Sequence, residues 1–163
     1  MRLTSRQVED YVTDLAELTE RYGVVPDLTG GAALALETEP EGSVRFALRG
    51  FLPDGRRPPR SVVEIVERWT PRNDAYERTA YRYELIDHER DHRRAFHRHD
   101  DGYFGRTFGV VVHEHCESPI RQVRCPHFFG RPVRDGFRAV ELLMAVWVSD
   151  RPECDALPCL EQL

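Results

Sequence analysis

Hydrophobic residues recur at helical spacing near both ends of the chain. Thr4 and Gln7 form a capping-box pattern, and apolar residues then follow every three or four positions, which predicts an amphipathic helix over about residues 5–22. Near the other end, Asp135 is a suitable N-cap, and an apolar stripe continues to about residue 149. We therefore expect a helix at each end, with an apolar stripe that packs on a sheet.

Between the two helices, polar and apolar residues alternate in several short runs. A period of two is typical of strands that bury one face, and glycine- and proline-rich turns separate these runs. The runs are 43–51, 61–70, 79–87, 92–100 and Thr107–Glu117, and residues 32–39 are a further candidate strand. Short connections favour antiparallel neighbours, with 79–87 and 92–100 as a hairpin. The predicted fold class is α+β: an antiparallel sheet of about five strands with an N-terminal and a C-terminal helix packed on it.

The length of 163 residues fits one domain that buries its own core. We expect a single α+β domain over residues 1–150 and an acidic, partly disordered tail over 151–163. No apolar run approaches the roughly 18 residues of a membrane span, and no signal pattern opens the chain. We therefore expect a cytoplasmic protein without a membrane partner, whose four cysteines are thiols or ligands rather than disulfides.

Charge is distributed unevenly along the chain. All 23 basic residues are arginine, and residues 78–138 contain 12 of them against nine acids, together with all seven histidines. A polyanion would be drawn to this middle part of the chain. The overall pI near 5.8 argues against a protein that coats DNA.

Two His-x-His pairs fall on successive predicted strands. Alternation places His113 and His115 on one side of their strand with Val111, and Phe108, Val110 and Val112 on the other. If the two strands are neighbours, four imidazoles line one face and can share a metal ion such as zinc. The candidate metal ligands are His97, His99, His113, His115, Cys125 and His127. Regular alternation puts Cys116 on the opposite face. The alternative is that these histidines are ordinary surface or core-edge residues.

The same histidines also suit a reaction that needs no cofactor. Two imidazoles can act as general base and general acid in RNA cleavage, and arginines can hold the phosphate. The candidate catalytic residues are His113, His115, Glu114 and Asp100. Candidate phosphate-binding residues are Arg98, Arg106, Arg131 and Arg134, and Tyr103 and Phe128 are candidates for stacking on unpaired bases. A third alternative is a non-catalytic module that binds a partner protein through its last helix and tail.

Four segments of the second half also invite comparison with a known family. They are YRYELID (Tyr81–Asp87), FHRHDD (Phe96–Asp101), the pair His113 and His115, and DGFRAVELLMAVW (Asp135–Trp147). In these segments the chain resembles the TumE-like family, toxins of toxin–antitoxin modules. It departs from the family by having GYFGRTFGVVV before His113, where a Lys-Gly pair is usual. The resemblance implies a cytoplasmic effector paired with a helix-turn-helix antitoxin. RNA cleavage is inferred from the residues and not from the family.

Overall fold

A computed structural model describes residues 1–29, 34–53, 61–100, 102–109, 111–118, 123–124 and 132–148. This part of the chain contains three helices: α1 (Ser5–Arg21), α2 (Gly102–Phe108) and α3 (Gly136–Val148). It contains nine strands: β1 (Arg2–Leu3), β2 (Val25–Pro26), β3 (Leu34–Thr38), β4 (Val44–Phe51), β5 (Ser61–Arg72), β6 (Ala75–Asp87), β7 (His92–Arg98), β8 (Val112–Ser118) and β9 (Val123–Arg124).

The strands form one antiparallel sheet in the order β2-β4-β5-β6-β7-β8-β9, with β1 beside β6 and β3 beside β4. The predicted α+β class, the antiparallel pairing and the hairpin of β6 and β7 are confirmed. The expected number of about five strands is too low for the described residues. Three of the additional strands have only two residues, so they are too short to show any alternation.

Both terminal helices begin where their caps predict. The Thr4 side chain accepts a hydrogen bond from the Gln7 amide at 3.3 Å, and the Gln7 side chain accepts one from the Thr4 amide at 2.9 Å. At α3, the Asp135 carboxylate accepts a hydrogen bond from the Arg138 amide at 2.8 Å. The buried stripes of both helices join one core with the apolar residues of the sheet. Burial of these stripes is what holds α1 and α3 against the sheet.

The prediction of one strand over Thr107–Glu117 is wrong in its first part. Thr107 and Phe108 belong to α2, and β8 begins only at Val112. Gly109 separates the two elements with φ +66, and its amide donates to the Gly105 carbonyl at 3.1 Å, which is typical of a helix end. Phe108 therefore fits the alternating pattern of the strand in the sequence but belongs to a helix.

A polar cluster lies inside the core, between the sheet and the two long helices. The fully buried Glu67 carboxylate accepts hydrogen bonds from the Tyr11 hydroxyl at 2.7 Å, from Trp69 Nε1 at 3.0 Å and from Arg78 Nη1 at 3.2 Å. Arg78 also donates to the Val133 and Arg134 carbonyls, both at 2.7 Å. This cluster connects α1, β5, β6 and the segment that leads into α3.

Candidate functional site

The sheet has a second face, which points away from α1 and α3. Alternation places Arg93, Ala95 and His97 of β7 on this face, next to His113, His115 and Glu117 of β8. His97 pairs directly with His113, and Ala95 pairs with His115. Because Ala95 is small, the register leaves space for the His115 imidazole beside His97.

The four histidines of the two predicted pairs form one group, the histidine cluster (His97, His99, His113 and His115). Ring centroids are 5.0 Å apart for His97 and His113, and 4.8 Å apart both for His97 and His115 and for His113 and His115. The His99 ring stacks on His113 at 4.9 Å. The sequence left open whether the strands carrying the two His-x-His pairs are neighbours, and the structure places them side by side.

Three members of the histidine cluster have the spacing of a metal site. One ring nitrogen each from His97, His113 and His115 lies within 4.8 Å of the other two. Bonds of 2.0–2.1 Å in tetrahedral geometry would place such nitrogens about 3.4 Å apart. Binding of an ion therefore requires the side chains to rotate so that the nitrogens come closer together. The described residues therefore include a set of three imidazoles that can converge on one ion.

Burial keeps two of these imidazoles neutral. His97 and His113 are 9% and 8% exposed. Burial, followed by the charges of His115, His113 and Arg93, lowers the pKa of His97 to about 2. The pKa of His113 is lowered to about 4 by burial and then by His115, His99 and Arg93. At neutral pH both rings thus carry the lone pair that a metal requires. Among the described residues, the buried Nε2 of His97 has no hydrogen-bond partner.

Glu117 orients the third imidazole. Its carboxylate accepts a hydrogen bond from Nδ1 of His115 at 2.8 Å and another from Nη1 of Arg93 at 2.8 Å. Burial raises the pKa of Glu117, but the bonds from His115 and Arg93 outweigh it and lower the pKa below its ordinary value. The charged carboxylate assigns the His115 proton to Nδ1, which leaves Nε2 available to a metal.

Sequence reasoning missed Glu117 and Arg93. The signal for Glu117 was the same alternation that selected His113 and His115, since the three residues share one strand face. Arg93 became recognisable only from the pairing of β7 with β8, which places it opposite Glu117.

A row of alternating charges crosses the same face and ends at Glu117. Its members, in order from β2, are Asp27, Arg49, Glu64, Arg82, Glu84, Arg93 and Glu117. Distances of 3.0 Å between Arg49 and Asp27 and 2.9 Å between Arg82 and Glu64 are typical of its links. At the end of the row, the side chains of Glu84, Arg93 and Glu117 are only 7%, 23% and 15% exposed, so this end of the row holds Arg93 in place beside Glu117.

Two predicted site residues lie away from the histidine cluster. Glu114 is on the opposite face of β8, where it accepts a hydrogen bond from Arg94 Nη2 at 2.7 Å. Arg134 precedes α3 on the helix side of the sheet, and its Nε pairs with Asp135 at 3.1 Å. The structure therefore does not bring Glu114 to the rings of His113 and His115 or place Arg134 beside them.

The remaining predicted site residues lie in several different parts of the structure. Arg98 and Asp100 follow His97 on the chain, and Asp100 accepts a hydrogen bond from Arg68 at 2.9 Å. Arg106 and the exposed Tyr103 belong to α2. Cys116 is buried and, as alternation predicts, lies on the face opposite His115. Cys125, His127, Phe128 and Arg131 lie outside the described residues.

An open pocket of about 450 Å³ adjoins the histidine cluster on the same face. His97 and His99 form part of its wall, and Val66 and Ala80 of the neighbouring strands also line it. The charged residues of its lining are Glu39, Arg45, Arg68, Arg82, Arg98 and Asp100. A ligand in this pocket would therefore meet both imidazoles and guanidinium groups.

Comparisons with protein-family models, with curated proteins and with solved structures find no match to this chain. Within the described ranges, none of the helices has the length and apolar character needed to cross a membrane. The fold and site together define an α+β protein with a candidate three-histidine metal centre on the open face of its sheet.

Proposed function

We propose that this protein binds a divalent transition-metal ion, with zinc the expected ion, through His97, His113 and His115. The observation that carries the proposal is the convergence of the three potential ligand atoms within 4.8 Å of one another. Imidazole is a preferred ligand of zinc and of several other transition metals. The alternative, in which the histidines only pack on one another, does not explain why one ring nitrogen from each of the three residues points to the same place.

The surroundings of the three imidazoles agree with a metal centre. The buried Nε2 of His97 lacks a hydrogen bond within the described part of the chain, and a buried polar atom without a partner costs about 1–3 kcal/mol. A metal ion bound by the three imidazoles would give this nitrogen a partner. The hydrogen bond from His115 to Glu117 supplies the carboxylate partner that metal-binding imidazoles usually have.

Three protein ligands leave one position of a tetrahedral ion open, which is typical of catalytic zinc rather than structural zinc. When bound in such a site, zinc activates a water molecule and polarises oxygen atoms of a substrate. The pocket beside His97 and His99 gives this position a place for a small molecule. We therefore propose a metal-dependent enzyme or ligand-binding protein, with the histidine cluster as its centre.

Metal-free RNA cleavage by a toxin-like effector stays a competing prediction. The short distance between the His113 and His115 rings, 4.8 Å, and the arginines nearby support it. The lowered pKa of His113 argues against it, because a general acid must hold a proton at the working pH. An antitoxin partner and an RNA substrate belong to this second proposal only.

Metal content tests the first proposal. Untagged protein, stripped with a chelator and then dialysed against zinc, is expected to retain about one zinc per chain by elemental analysis. His97→Ala, His113→Ala and His115→Ala should each lose most of it. The matched control is His88→Ala, which removes an exposed histidine from the turn between β6 and β7. Equal zinc content in all four variants would show that the histidine cluster does not bind the ion.

A further inference from the structure

We infer that the pocket beside the histidine cluster binds a small molecule with a carboxylate or phosphate group, and that this group reaches the open position of the metal. This inference rests on the proposed function, which it extends from a metal centre to a class of ligand. Apart from His97, the residues from which it is argued play no part in holding the ion.

The position of the pocket is the first argument. Arg82 pairs directly with His97 across β6 and β7, and both residues line the pocket. A ligand anion bound at Arg82 would thus lie one strand away from the imidazole that defines the metal centre. Neighbouring strands are about 4.8 Å apart, so a group of a few atoms spans this distance.

Charge is the second argument. Four arginines and two acidic residues are among the residues that line the pocket, in a chain whose overall net charge is −5. Arg68 is already neutralised, because it binds Glu39 and Asp100 at 2.8 and 2.9 Å and also contacts Glu41. Arg82 is paired with Glu64 at 2.9 Å, and Arg98 lies opposite Tyr81 on the other face of the sheet from His97, so Arg45 is the arginine on this face that a ligand can recruit.

Arg45 is the guanidinium most easily recruited by a ligand. It forms an ion pair with Glu37 at 3.6 Å, and the two side chains are 40% and 63% exposed. Such a pair contributes about 0–1 kcal/mol, so an incoming anion displaces it at little cost. Arginine suits carboxylate and phosphate groups because its planar donors bind two oxygens at once.

Size and rim charge indicate a small ligand rather than a nucleic-acid strand. A volume of about 450 Å³ falls within the usual range for small-molecule pockets. Glu39 and Asp100 on the lining, with Glu37 and Glu41 close by, would repel the successive phosphates of a long polyanion.

Cobalt substitution allows the anion to be followed at the metal. The protein is loaded with Co²⁺, and inorganic phosphate or acetate is added at constant ionic strength while the visible absorption bands are recorded. At least one of the two anions should change the bands and saturate, and the anion that binds more tightly identifies the preferred group. Arg45→Ala should weaken this binding by about 5-fold or more. Arg138→Ala, on an exposed part of α3, should leave it unchanged.

The possible failures are distinguishable. If Co²⁺ binds but neither anion changes the bands, or if Arg45→Ala and Arg138→Ala behave alike, the inference is wrong and the metal centre stands. If no Co²⁺ binds, the proposed function fails. Calorimetric titration of the metal-free protein with phosphate then shows whether the pocket binds an anion without a metal. Binding that depends on Arg45 would then preserve the anion site alone, and no binding would overturn both. Tighter binding of a single-stranded oligoribonucleotide than of either anion would contradict a small ligand.

Discussion

The carboxylate of Glu117 lies 2.8 Å from Nδ1 of His115, on the same face of β8. Arg93 on the neighbouring strand holds the other oxygen of this carboxylate at 2.8 Å. His115 is therefore held in one tautomer, and its orientation depends on two residues that do not themselves reach the metal. Arg93 and Glu117 are positioning residues in this account, and His97, His113 and His115 are the ligands.

Replacing Glu117 tests this positioning role. Glu117→Ala should weaken zinc binding about 10- to 100-fold, the usual effect of losing such a partner. Glu117→Gln should weaken it less, because its amide oxygen can still accept the hydrogen bond from Nδ1. Competition with a chromophoric chelator measures the affinity. Glu141→Gln, an exposed change on α3, is the control. Equal affinity for wild type and Glu117→Ala would show that Glu117 does not orient a ligand.

The metal-free protein should lose stability in mild acid. An unfolded histidine has a pKa near 6.5, whereas His113 and His97 in the folded protein have pKa values of about 4 and about 2. The unfolded chain therefore binds more protons below pH 6.5, and the free energy of unfolding rises with pH in this window. The contribution is complete above about pH 6.5 and is lost as the pH falls, toward 4 for His113 and toward 2 for His97.

Urea unfolding at pH 7 and pH 5, with a chelator present, measures this effect. His97→Gln should show a smaller loss between the two pH values than wild type, and His88→Gln should match wild type. A wild-type protein that is as stable at pH 5 as at pH 7 would contradict the burial of neutral imidazoles. So would an unchanged pH dependence in His97→Gln.

The buried polar cluster on the helix side should control stability but not metal binding. Glu67→Leu leaves the Arg78 guanidinium buried without this partner, which costs about 3–5 kcal/mol of unfolding free energy. The double variant Glu67→Leu with Arg78→Met removes both charges and should recover part of the loss. Chemical denaturation gives the free energies for a double-mutant cycle. Additive effects of the two substitutions would mean that the pair is not coupled.

Gly136 is expected to resist even a methyl group. A Cβ at this position would lie 2.6 Å from Cδ2 of Leu15 and 2.7 Å from the Tyr11 hydroxyl. Gly136→Ala must therefore displace α1 or α3, at a cost of about 1–3 kcal/mol. Thermal unfolding measures this loss of stability. The control is Gly105→Ala, whose Cβ would lie at an ordinary contact distance of 3.7 Å from Val111. An unchanged melting temperature for Gly136→Ala would show that the helices are less closely packed than described.

RNA cleavage separates the two proposed functions. If the centre requires a metal, purified protein should show no cleavage of single-stranded RNA in the presence of a chelator. Chelator-resistant cleavage that disappears in His113→Ala and His115→Ala would instead support the metal-free mechanism. The same substitutions in a growth assay would then test the resemblance to the toxin family.

Local signals were sufficient for much of the fold. The capping residues and apolar stripes predicted α1 and α3, because helix boundaries depend on nearby residues. Alternation predicted the main strands, but it extended β8 backward into α2. Glu67 escaped notice because it occupies a core position on β5 that an apolar pattern would have filled. Its partner Arg78 lies beyond a bulge in the next strand, which sequence periodicity does not show.

The candidate site was predictable only in part. The sequence selected all four residues of the histidine cluster, since each His-x-His pair shares a strand face. It could not show that His97 pairs with His113, because this register depends on how the segment between β7 and β8 folds. For the same reason, Glu114 was chosen for its proximity in sequence, although Glu117 is the carboxylate that contacts a histidine.

Zinc-edge anomalous diffraction from crystals soaked in zinc tests the central claim most directly. We expect one anomalous peak about 2.0–2.1 Å from a ring nitrogen of each of His97, His113 and His115, with Nε2 as the donor of His115. No peak at the histidine cluster, or a peak bound by only one of these residues, would contradict it.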